Sequence, residues 1–206
     1  MFFIEKTKSL FLRLAVVSLG VLLLAVGGTL GQGLSPFAPS TEMAVAATPA
    51  PDGACQALME TSANIFNMPF HFYFTHTDPD GKTRTMEDIF VDGVAYVPVR
   101  GKWFRMPISS MDTRDLVQLG LKEAKNLSCR VLRDESVNGE SATVFSVHSE
   151  NEHGIHDAQV WVSKSRRLLL REETDTQKPG ESRKSHVSLR LDYNNVQAPK
   201  VSEALR

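Results

Sequence analysis

Three histidines crowd into one short stretch, His148, His153 and His156, with Asp157 beside the last. Imidazole and carboxylate are both zinc ligands, so the stretch raises a metal site. Its spacing fits no recognised ligand motif. His148 and His156 are expected to end and begin neighbouring strands, with His153 in the loop between, where polar residues gather anyway. His71 and His76 alternate with aromatic residues and are expected to face solvent or a sheet edge. Carboxylates are plentiful, but Glu172 and Glu173 are neighbours on a strand and point to opposite faces, so they make no acid–base pair. The basic turn "KSRR", Lys164 to Arg167, could touch anionic headgroups or phosphate, although a solvated hairpin tip explains it as well. No nucleophile elbow, phosphate loop, H-E-x-x-H or dinucleotide fingerprint is present. The chain therefore reads as non-catalytic, with no metal and no cofactor.

These residues sit in a chain of balanced charge, with 23 basic and 24 acidic side chains. That balance argues against nucleic acid as a partner. Lys6, Lys8 and Arg13 precede the apolar run "LAVVSLGVLLLAVGGTL". A basic start followed by such a run is the pattern of a secretory signal or a short membrane anchor. A Pro-rich stretch then reaches "AVAA" at Ala44 to Ala47, which places cleavage between Ala47 and Thr48. The alternative is a retained anchor, touching the inner membrane through residues 10–30. Either way the rest of the chain is expected in the periplasm or otherwise exported. The organisation is a signal or anchor with linker over 1–47, a short linker over 48–53, one domain over 54–199 and a tail over 200–206.

"ACQALMETSANIFN" spaces Cys55, Leu58, Met59, Ser62 and Phe66 as one stripe of a 3.6-residue period, which predicts a helix. Met68-Pro69 ends it. In "FHFYFTHT", Phe70, Phe72 and Phe74 alternate with His71, Tyr73 and Thr75, the period of a strand. "DPDG", "VDGV" and the tight pair "VAYVPVRG" and "KWFRM" extend this into an antiparallel meander, since each link is too short for a parallel crossover. A second helix is expected over Asp112–Lys125. Asn138-Gly139 marks a hairpin in a second meander of about five strands, which ends in "HVSLRLDYNNV". The fold class is thus α+β: a curved antiparallel sheet of about nine or more strands, an open half-barrel, with helices packed on the concave face.

Cys55 opens the first helix and Cys129 the strand after the second. In an exported chain two cysteines are expected to pair, the alternative being two buried thiols. The bridge would close a loop of about 74 residues, for which chain entropy gives about 4 kcal/mol.

Ten strand aromatics, among them Phe70, Phe104 and Tyr193, supply core. A curved sheet under helices can also enclose an apolar ligand. An exported chain of helix, meander, helix and long second meander resembles the LolA/LolB-like lipoprotein-carrier superfamily. The likeness is strongest in "AQVWVSKSRRLLLREETD" and "LRLDYNNVQAP" and spans about Ala54 to Pro199. It implies a cone-like half-barrel whose apolar concave face takes acyl chains, without catalytic residues or metal. Carried onto this chain, it makes Phe72, Phe74, Phe90, Tyr96, Trp103, Phe145 and Trp161 candidates for the lining. Leu116, Val117 and Leu121 then belong to a lid helix. The sequence departs from the family in its Cys55–Cys129 pair, which would tie the first helix to the sheet.

The expected function is an exported binding protein of the cell envelope that holds a lipid or lipoprotein acyl chain. The alternatives are an envelope protein-interaction module on the same fold, with a protein partner instead of a lipid, and a metal enzyme using His148, His153 and His156.

Overall fold

The computed structural model describes residues 53–107, 124 and 126–201. The Ala47/Thr48 junction, residues 10–30, and Leu116, Val117 and Leu121 lie outside the described residues. Of the expected second helix only Ala124 is described, in no regular element. Among the described residues no helix is long and apolar enough to cross a membrane.

Helix α1 covers Gly53–Asn64 and passes into a 3-10 turn, Ile65–Asn67. Cys55, Leu58 and Ser62 are buried on the expected stripe, and Met59 and Phe66 are half-buried. The hydroxyls of Thr61 and Ser62 return hydrogen bonds to the carbonyls of Ala57 and Leu58, which lets two polar side chains sit in the packed face of a helix.

Among the described residues nine strands follow: β1 Phe70–Thr77, β2 Thr83–Val91, β3 Val94–Val99, β4 Lys102–Pro107, β5 Ser128–Val137, β6 Glu140–Asn151, β7 Gly154–Ser163, β8 Leu169–Gln177 and β9 Ser185–Asp192. They form one antiparallel sheet in the order β4-β3-β2-β1-β9-β8-β7-β6-β5. The sheet is open, because β4 and β5 are its two edges. The one long link joins those edges: the chain leaves one at Pro107 and re-enters at the other at Ser128. The turns explain the tight hairpins. Asp92-Gly93 and Asn138-Gly139 both hold two successive residues at positive φ, the geometry whose twist matches paired strands.

Cross-strand register assigns the faces, because side chains alternate with period two. One inner-face row runs Phe145, Val160, Glu172, Leu189, Phe74, Met86 from β6 to β2. A parallel row runs Leu191, Phe72, Asp88. Helix α1 crosses this face. It is bonded to β5 through Cys55–Cys129. At its far end Phe66 meets Phe70 and Phe90 edge-on, with centroids 5.6 and 5.5 Å away, while those two rings stack at 4.4 Å. Phe70 and Phe72 are fully buried, and each such side chain contributes about 2–3 kcal/mol of apolar transfer free energy.

Candidate functional site

The inner face is graded along the strands. At one end it is aromatic: Phe70, Phe72, Phe90 and, from beyond β9, Tyr193, whose hydroxyl donates to the Leu169 carbonyl at 2.8 Å. At the other end the row Ser149, His156, Thr176, Ser185 carries hydroxyls and an imidazole. Two carboxyls interrupt the apolar middle. Glu172 is 2% exposed and accepts a hydrogen bond from Thr174 at 2.9 Å. Burial pushes its carboxyl up to about 7, against the Thr174 bond and with help from the Glu173 charge. Asp88 is 3% exposed, its Oδ1 has no hydrogen-bond partner, and burial, then the Glu87 charge, push it up to about 6.

Four of the sequence candidates share this face: Phe72, Phe74, Phe90 and Phe145. Three do not: register places Trp161, Tyr96 and Trp103 on the opposite face. Trp161 pairs with Val144 and Arg171 on the outer face. There its indole N–H donates to Glu135 Oε2 at 2.8 Å and the Arg171 guanidinium lies 4.8 Å over its ring. Trp161 is still buried, so it is roofed by charged side chains instead of facing a cavity. Tyr96 pairs with Ile89 and Arg105, and Trp103 with Pro98, on the face that carries His71 and Tyr73. Parity with Arg105 held the signal for Trp103; Trp161 shares its parity with Asp157 and Gln159, but the apolar run Val160 to Val162 around it masks that signal.

The histidines do not converge. His148 lies on the outer face, with Nδ1 2.8 Å from Asp157 and Nε2 3.3 Å from Glu150. His156 points to the inner face, bonded to the Thr176 hydroxyl at 3.1 Å, and burial holds its pKa below the usual value. His153 sits in the turn between, its backbone N–H donating to Asn151 Oδ1. Among the described residues no group of three or more His, Cys, Asp or Glu side chains is arranged to hold a metal ion. The outer face instead shows a cross-strand row, His148, Asp157, Asp175, His186, with each histidine paired to its neighbouring aspartate at 2.8 Å.

Two cations of the basic turn are engaged locally, and Arg167 is exposed. Lys164 pairs with Asp134 at 2.7 Å, and Arg166 pairs with Glu140 and covers the Tyr193 ring. Glu140 also accepts from the buried Ser163 hydroxyl. These contacts tie the β7–β8 turn to the β5–β6 hairpin.

One groove opens within the sheet itself. Beyond the Ile89–Tyr96 pair, β2 and β3 part, and the fork between them holds ≈ 470 Å³ lined by Phe74, Met86, Glu87, Asp88, Val97 and Pro98 among others. Sequence reading missed Asp88 and this fork altogether.

No protein-family model matches the chain, and no characterised protein matches it in sequence. Solved structures do resemble it. LppX, a lipoprotein of Mycobacterium tuberculosis, is 13% identical with a TM-score of 0.43, over 71% of this chain and 98% of that one. The Pseudomonas aeruginosa MucA/MucB complex gives 15% and 0.39, over 70% and 58%. A LolA superfamily protein of Nitrosomonas europaea gives 11% and 0.28, over 68% and 91%. The superfamily that the sequence resembles is thus represented among the similar structures, and at these scores the likeness bears on no activity.

Proposed function

We propose that this chain is an exported, non-catalytic binding protein of the cell envelope that holds a lipid or lipoprotein acyl chain against the inner face of its sheet. The observation that carries this reading is the run of apolar side chains over that face, from Phe145 and Val160 through Leu189 and Leu191 to Phe72, Phe74 and Phe90, broken only by the buried Glu172 and Asp88 carboxyls. A sheet apolar on its concave side and ion-paired on its convex side offers a long hydrocarbon one place to go. The Cys55–Cys129 bond supports an oxidising compartment, as does the basic start followed by an apolar run. The separation of His148 from His156 onto opposite faces supports a binding role over a metal enzyme.

Helix α1 already occupies part of the face, so uptake requires Leu58, Ile65 and Phe66 to shift from the floor. The disulfide fixes the start of the helix, and the short link from Asn67 to β1 holds its other end, so the shift is one of side chains and local repacking. The test is native mass spectrometry of the chain purified from an exporting host, before and after organic extraction. An extractable mass in the lipid range is expected. A clean apo mass, together with no binding of a fluorescent fatty-acyl probe, would sink the lipid reading. It would leave the second reading, an envelope protein-interaction module, which the open fork between β2 and β3 favours.

A further inference from the structure

We propose that the fork between β2 and β3 is a docking site for an extended segment of a partner polypeptide, which adds as a strand to the free edge of β2 and brings a Lys or Arg side chain to Asp88. The proposal deepens the protein-interaction reading and does not depend on lipid binding.

The free edge follows from register. Asp92-Gly93 is a two-residue hairpin turn, so Val91 and Val94 exchange backbone hydrogen bonds, as do Ile89 and Tyr96 two residues on. By the same parity the N–H and C=O of Thr83, Thr85 and Glu87 point towards β3. The next bonded pair would be Glu87 with residue 98, and residue 98 is proline. Pro98 has no N–H to give the Glu87 carbonyl, so the ladder stops there. Pro98 costs β3 nothing on its other side, because its backbone does not face β4: the Arg100-Gly101 turn makes Val97 and Val99 the bonded partners of Phe104 and Lys102. The result is a run of backbone groups without a strand partner among the described residues, flanking a groove, which is the template for strand addition.

The floor of the groove selects the occupant. Asp88 lines it, is almost completely buried, and keeps Oδ1 unpartnered. A buried acceptor without a donor is costly, and an arriving ammonium or guanidinium would relieve it. The other charged group among the described lining residues is Glu87, again acidic. Arg84, the nearest basic residue along β2, is engaged with Asp78 at 3.4 Å. A lining with two acids and, among the described residues, no cation repels a phosphate headgroup. It also disfavours a second copy of this chain pairing β2 to β2, which would set acid against acid across the new ladder. A basic, extended peptide satisfies both the backbone edge and the buried carboxylate.

The test titrates the ¹⁵N-labelled full chain, purified from an exporting host, with a short peptide of alternating Thr and Val carrying one central Lys. The control is the same peptide with norleucine in place of Lys. The amides of Thr85 and Glu87 are expected to shift and to slow in hydrogen exchange, with the Lys peptide bound about tenfold or more tighter than its control. Asp88→Asn should erase that preference and leave the norleucine peptide's affinity unchanged. Thr85→Pro, which deletes an N–H that pairs with no strand of this sheet, should abolish binding of both while leaving any acyl-probe binding intact. The proposal is overturned if neither peptide binds, if both bind equally, or if the shifts fall elsewhere. It is equally overturned if Thr85 and Glu87 are already protected in the free chain, because a segment of the chain itself would then cover the edge.

Discussion

The two wings of the sheet are held together very differently. In the C-terminal wing, β6 and β7 stay paired through ten residues each, from Ala142–Ser163 to Asn151–Gly154. In the N-terminal wing, β2 and β3 share three pairs and part at Pro98. The C-terminal strands are also laced across the outer face by His148–Asp157, Lys184–Asp157, His186–Asp175 and His186–Glu173. Each such exposed pair is worth little alone, at about 0–1 kcal/mol, but they recur from strand to strand. The contrast is structural: the C-terminal wing is the frame, and the N-terminal wing is where the sheet opens. Each wing buries one carboxyl in its inner face. Glu172 in the frame has Thr174 as a donor, whereas Asp88 in the open wing has an unsatisfied oxygen.

The largest effect expected from breaking this division is at the disulfide. Cys55–Cys129 joins α1 to the frame across a separation of 74 residues. Replacing both cysteines by alanine should cost about 4 kcal/mol in urea denaturation, on the chain-entropy model. Hydrogen exchange should show where the loss falls: α1 amides lose protection while β6 and β7 keep theirs. Equal loss of protection in β6 and β7 would mean that the frame depends on the helix, and the two-wing description would be wrong.

Next in size is the buried acid of the frame. The folded state keeps on Glu172 a proton that an unfolded carboxyl releases near 4.5, because burial raises its pKa to about 7. Folding therefore has this group's full support below pH 4.5 and loses roughly 3 kcal/mol as the pH rises to about 7. Asp88 acts in the same direction between 3.8 and about 6. His148 is raised by its bond to Asp157, and His186, although partly desolvated, is raised by Asp175 and Glu173; both support folding below 6.5 and withdraw that support above it. The ion-paired carboxylates Asp134, Glu140 and Asp157, lowered chiefly by Lys164, Arg166 and His148, have the opposite sign and are lost only in stronger acid. Maximum stability is expected in mild acid. Glu172→Gln should flatten the decline towards neutral pH and make the protein more stable than the parent at pH 8. An unchanged slope would move the effect to Asp88 and the histidines.

Much of this frame is legible in the residues. The alternation of Phe70, Phe72 and Phe74 sets one face of β1, and Asn138-Gly139 sets the β5–β6 hairpin, since both signals are local. The nine-strand count and the cysteine pairing also follow, the second from compartment alone. Facing fails where both parities of a strand are apolar. Val160, Trp161 and Val162 offer no contrast, and a register shift between Trp161 and Val162 adds to the ambiguity. The buried acids are illegible for a different reason. Nothing in "MEDIF" distinguishes Asp88 from the exposed Glu87 until the strand is placed beside Phe72, and the fork needs the β2–β3 register to be seen at all.

The smallest expected change in stability is also the most direct probe of the contrast between wings. Pro98→Val restores an N–H aimed at the Glu87 carbonyl, on an exposed position that packs against nothing in the core. One hydrogen bond contributes about 1 kcal/mol. Losing the proline frees the unfolded chain by about 0.4–1 kcal/mol, so the two nearly cancel. Stability should stay within about 0.5 kcal/mol of the parent while the amide restored at position 98 exchanges slowly, as a ladder amide does. Closing the fork by one pair should also weaken the Lys peptide at Asp88. If the restored amide instead exchanges as fast as a loop amide, the missing donor is not what parts the strands. The buried Asp88 carboxyl would then be the cause, holding β2 and β3 apart because closing the ladder over it would seal an unsatisfied oxygen.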